Sequence, residues 1–149
     1  MNKIDPKTAR QVWQRVQGQT EPAQDVQELA ELIRQLQEDA ACCLQLARQM
    51  PEKHRILLKQ MANREQSQAI CLKGMYHLLT GQKPALSPSR QAPEIAEIAL
   101  RRYYGRKLRC LNHYEKRTAD PQFGQVFARL AQQTRELCQE LLLLLGRLP

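Results

Sequence analysis

Aromatic side chains are scarce in this chain, at 5% of 149 residues, and glycine occurs only six times. Leucine, glutamine, arginine, alanine and glutamate are abundant instead, and these lose little rotamer freedom in a helix, so the composition points away from a β-sandwich and toward an all-α fold. No apolar run reaches the roughly 18 residues needed to span a bilayer. The opening "MNKIDPKTAR" lacks the apolar stretch of a signal peptide. Both absences point to a cytoplasmic protein without membrane contact. There is no C-x-x-C pair; the five cysteines (Cys42, Cys43, Cys71, Cys110, Cys138) are odd in number and lie within helical patterns. That usage fits a reducing compartment, with the thiols serving as small buried hydrophobes. Apolar residues at 42% and charged residues at 26% are ordinary for a globular protein, and the length suits one domain over 1–149.

The formal net charge is +8, which raises the question of a polyanionic partner. The basic residues concentrate in "RRYYGRKLR" and just beyond it, giving a candidate patch of Arg101, Arg102, Arg106, Arg109, Lys116 and Arg117. Glu21, Asp25, Glu28, Glu31, Glu38 and Asp39 stand opposite, with Arg34 as the one cation among them. An acidic helix in the same chain makes internal or intersubunit charge matching the leading reading. Nucleic-acid or anionic-surface binding is the lesser one.

Asp5 and Pro6 form a helix start, and Ala9, Val12, Trp13 and Val16 then define a short accessory helix over 1–18 that stops at Gly18. After the linker "GQTEPAQD", four longer amphipathic helices follow. The first runs from about 23 to 50 on Val26, Leu29, Ile33, Leu36, Ala40, Cys43, Leu44 and Met50, and Pro51 ends it. The second spans 52–80. Residues 81–93, "GQKPALSPSRQAP", carry three prolines and one glycine and read as a connection. The third helix covers 94–117 with Ile95, Ala99, Tyr103, Lys107, Cys110, Leu111 and Tyr114 inward. The fourth covers 122–145 and ends at Gly146.

Each such helix buries one stripe, which predicts a four-helix bundle over 24–147. Two short links make two antiparallel hairpins. The long link at 81–93 can reach roughly 40 Å when extended, enough to cross the length of a bundle. A weak repeat at a shift of 69 residues superposes "LLKQMANREQSQA" on "VFARLAQQTRELC", as expected for two related hairpins.

Within the second helix, Leu58, Met61, Ala62, Ala69, Leu72, Met75, Tyr76 and Leu79 form the apolar stripe, yet Glu65 and Gln68 fall on it too. On these residues the chain resembles a small ferritin-like protein of the rubrerythrin type, through "LQEDAACCLQLARQMP", "REQSQAICLKGMY", "YYGRKLRCLNHYEKRTADP" and "VFARLAQQTRELC". The resemblance implies a bundle in which each hairpin supplies a glutamate and a Glu-x-x-His to hold two irons. Carried over by position, the six ligand sites correspond to Leu36, Glu65, Gln68, Lys107, Thr134 and Leu137. One carboxylate of the set remains. A slip in the first helix would make Glu38 or Asp39 its nearest carboxylate.

A pair of cations would be undercoordinated in that set and repelled by the lysine, so no cofactor is expected. The resemblance also implies an alternative, an iron-handling or di-iron oxidoreductase activity. Without C-x-x-C pairs there is no rubredoxin-like electron donor. The expected substitute for metal is a core ion pair, Glu65 with Lys107, with Gln68 and Thr134 alongside. His54, His77 and His113 fall in the loop around Pro51, near the end of the second helix and on the basic face of the third. None pairs by spacing with a nucleophile. The expectation is a non-catalytic structural or binding module that dimerises through an exposed bundle face.

Overall fold

Proline, glycine and aspartate divide the chain into its elements. The structure, a computed structural model, describes residues 21–86 and 94–148, with side chains from 25 onward. These hold four α-helices: α1 (Glu21–Gln49), α2 (Glu52–Thr80), α3 (Ala96–Lys116) and α4 (Gly124–Gly146). The accessory helix expected over 1–18 lies outside the described residues, as do 87–93 of the connection. No described helix is long and apolar enough to cross a membrane.

Pro51 breaks the α1–α2 boundary because it cannot donate a backbone hydrogen bond. The Arg55 guanidinium then donates to the freed carbonyls of Ala47 (3.1 Å) and Met50 (3.5 Å), closing the end of α1. α2 ends at Gly81, whose φ of 71° is left-handed and whose N–H reaches the His77 carbonyl at 2.8 Å. Gly146 behaves differently from the sequence expectation. It is the last residue of α4 itself, and the cap is Arg147 in a right-handed conformation.

α3 starts two residues later than its pattern suggested, at Ala96, which leaves Ile95 outside the helix and 71% exposed. Leu44, assigned to the inner stripe of α1, is likewise exposed. α4 also starts late, because Asp120 accepts the N–H groups of Gln122 (2.8 Å) and Phe123 (2.9 Å) and holds a turn ahead of it. That turn brings Gly124 against the backbone; a Cβ there would lie 2.4 Å from the Thr118 carbonyl oxygen. Gly124→Ala should therefore lower stability by about 1–3 kcal/mol through overpacking, measured by urea unfolding. An unchanged midpoint would show that the turn relaxes freely.

The helices pair as two hairpins, α1 with α2 and α3 with α4, and the hairpins meet through α1–α3 and α2–α4. One apolar cluster joins the end of α1 (Cys43, Leu46, Met50), the start of α2 (Leu58, Met61), the start of α3 (Leu100, Tyr103) and the end of α4 (Leu141, Leu144). The other joins the opposite ends, among them Leu29, Ile33, Leu72, Tyr114 and Phe127. Thr80 and Ala96 consequently sit at opposite ends of the bundle, so the link between them travels its length. Pro84 and Leu86 begin that return over the α1–α2 face, beside Ala40 and Gly74.

Candidate functional site

Between the two apolar clusters lies a polar layer with one or more residues from every helix. Helix periodicity puts Glu65 and Gln68 one turn apart on α2, Lys107 between Tyr103 and Tyr114 on α3, and Thr134 between Leu130 and Leu137 on α4. All six positions singled out from the sequence are buried: Leu36, Glu65, Gln68, Lys107, Thr134 and Leu137. Leu36 and Leu137 belong to opposite apolar clusters and offer no ligand atom. The other four form two groups.

In the first group, Lys107 Nζ donates to Glu65 Oε2 at 2.6 Å, with both side chains 1% exposed. The same ammonium lies 2.9 Å from Asp39 Oδ2, a charge contact rather than a well-directed hydrogen bond. Asp39 Oδ1 accepts from Arg106 Nε at 2.7 Å and from Gln35 Nε2 at 3.1 Å. Two carboxylates thus face two cations. The Lys107 ammonium and the Arg106 guanidinium both lie about 6 Å from the centre of the Tyr103 ring, close enough for a cation–π contribution.

In the second group, Tyr114 donates its hydroxyl to Gln68 Oε1 at 3.0 Å. Gln68 Nε2 donates to Thr134 Oγ1 at 3.4 Å and to Gln133 Oε1 at 3.3 Å. Thr134 donates in turn to the Leu130 carbonyl at 2.8 Å. The glutamine amide can use both its donor and its acceptor ends here, as an imidazole bound to a metal could not.

Burial dominates the electrostatics. It lifts the Glu65 carboxyl, against the pull of Lys107, to about 7. It pulls the Lys107 ammonium down, but Glu65 and Asp39 outweigh it and the net shift is upward. Burial also raises the Tyr103 and Tyr114 hydroxyls and the Cys42, Cys43, Cys110 and Cys138 thiols. Those four thiols are buried, whereas Cys71 is only partly buried. A thiol reagent should accordingly titrate one cysteine per native chain quickly and the other four only on unfolding. A second fast-reacting thiol would show that the bundle opens near Cys42 or Cys138.

Asp39 is the member that the sequence reading placed only as a fallback. It is fully buried, and the signal for it is heptad spacing: Leu29, Leu32, Leu36, Asp39, Cys43, Leu46 and Met50 alternate by three and four residues. Arg106 moves from the basic patch into this network from the margin of the α3 stripe, beside Lys107, where its guanidinium reaches Asp39. The rest of the patch is largely matched by acids of the chain. Arg101 bonds Glu97 at 2.8 Å, Arg102 bonds Glu94, and Arg117 bridges Asp25 and Glu28 of the acidic helix α1. Arg109 and Lys116 have no such partner among the described residues. His54, read as a loop residue, is in the first turn of α2 and buried.

Among the described residues, no three His, Cys, Asp or Glu side chains gather in a way that could hold a metal ion. No family model, no curated protein and no solved structure matches this chain.

Proposed function

We propose that the chain is a ferritin-like bundle in which a lysine ammonium stands where the resembled family places metal, and that it serves as a non-catalytic structural or binding module. The observation that carries this reading is Lys107 Nζ, 2.6 Å from Glu65 and 2.9 Å from Asp39 at the centre of the core. A dication drawn to those carboxylates would have to displace a like charge that both already contact. The remaining donors would be an amide and a hydroxyl, which suit hard cations only as supplements to carboxylates. Iron therefore does not fit these residues, and no reaction step is assigned to it.

The role that remains is one of surfaces. Leu108 of α3 and Leu142 of α4 are about half exposed, and a homodimer through a bundle face is the assembly this reading favours.

Metal analysis of protein purified without chelator, followed by addition of ferrous iron and oxygen, tests the proposal. The expected result is substoichiometric metal and no near-ultraviolet oxo-bridge band. Two irons per chain with such a band would replace it with the alternative, a di-iron oxidoreductase.

A further inference from the structure

The end of the bundle where α2 begins holds a second polar feature, remote from the central layer in its residues and partners. α2 starts without a side-chain cap: Pro51 precedes it and supplies no acceptor. The N–H groups of Glu52 and Lys53 have no protein acceptor among the described residues, and a helix N-terminus in this condition attracts negative charge. One turn in, His54 is 94% buried by area (6% exposed), and its imidazole makes no hydrogen bond or ion pair among the described residues. Its ring nitrogens are not among the buried polar atoms that lack a partner, so they keep access to the space beside them.

Pro51 and Lys53 at the start of α2 and His54 one turn in line one cavity of about 590 Å³, a volume typical of small-molecule sites. Met50, Pro51, Ala96 and Leu148 give it apolar walls, and His54 lines it. Lys53 and Arg147 stand at its rim, exposed and without an acidic partner among the described residues. Glu97 also lines it, already bonded to Arg101 at 2.8 Å. With Glu97 paired to Arg101 and Glu52 in the first turn of α2 set against Lys53 and Arg147, one positive charge is left over, which suits a monoanion better than a phosphate dianion.

We propose that this cavity binds a small carboxylic acid with an apolar body. Its carboxylate accepts from the free N–H groups at the start of α2 and from His54, which has an N–H to donate in either tautomer. Lys53 and Arg147 flank it, and the apolar body lies along Met50, Ala96 and Leu148. The proposal is independent of the reading of Lys107, since the two sites share no residue.

Octanoate is the probe, with octylamine and inorganic phosphate as controls, titrated into the full-length chain while the three histidine ring signals are followed by NMR. His54→Phe identifies the His54 signal. Octanoate should bind saturably, moving the His54 signal and leaving those of His77 and His113 in place; octylamine should not. Lys53→Glu with Arg147→Glu, both at exposed positions, should keep the melting temperature and weaken octanoate at least about tenfold. The proposal is overturned if octylamine binds as well as octanoate, if phosphate moves the His54 signal and octanoate does not, or if the double variant binds octanoate unchanged.

Discussion

Lys107→Ala should lower the unfolding free energy by about 3–5 kcal/mol at pH 7.5, the cost of removing one member of a buried charge group and leaving its partners behind. Lys107 is 1% exposed and contacts both Glu65 and Asp39. Asp39 keeps Arg106 and Gln35 after the substitution. Glu65 keeps no cation, so the stranded charge is chiefly its own. Adding Glu65→Leu should therefore recover much of the loss, although the cavity left by the lysine stem will remain. Denaturant unfolding of the wild type, both single variants and the double variant forms a complete cycle. A double variant no more stable than Lys107→Ala alone would mean that Glu65 and Lys107 are not energetically coupled.

Stability of the wild type should fall as pH rises from about 4.5 to 7. Folding raises the Glu65 carboxyl from its ordinary 4.5 to about 7 because burial outweighs the attraction of Lys107. Within that window the folded chain retains a proton that the unfolded chain has released. The contribution is complete below the lower value and is lost as pH climbs through the upper one. A shift of this size corresponds to on the order of 3 kcal/mol.

Glu65→Gln removes the titrating group while keeping its shape, so its melting temperature should be flatter from pH 5 to 8, and the variant should be no less stable than the wild type at pH 8. A wild-type profile and a Glu65→Gln profile of equal slope would assign the pH dependence elsewhere. Lys107 does not confuse the window. Its folded value is also raised, so its contribution is present below the ordinary lysine value of 10.5 and is lost only at higher pH. The two predictions meet in one further reading: the penalty of Lys107→Ala should be smaller at pH 5, where Glu65 can protonate, than at pH 7.5.

Much of this molecule is legible without coordinates because its signals are local. Apolar periodicity, Pro51 and the Gly- and Pro-rich stretch at 81–93 suffice for four helices and their approximate ends, since each acts through the backbone of its own neighbours. The same periodicity marks Glu65, Gln68, Lys107 and Thr134 as inward positions. It misplaced Leu44, because one amphipathic stripe is wider than the contact it makes and its margin is decided by the neighbouring helix, and Ile95, because α3 begins only at Ala96.

Three things waited for the tertiary structure. Link length alone permits either a loop at one end or a crossover; the two apolar clusters, which join the start of α3 to the start of α2, select the crossover. A lone carboxylate at a heptad position is ambiguous between core and margin, and Asp39 becomes a core residue only because α3 brings Arg106 and Lys107 to meet it. His54 looks like a residue of a short loop, but it is a buried residue of α2 that shares a cavity with the start of α3 and with the residues just past α4. In each case the deciding quantity is a distance between segments far apart in the chain. Helical period says which way a side chain points, and only packing says what it meets.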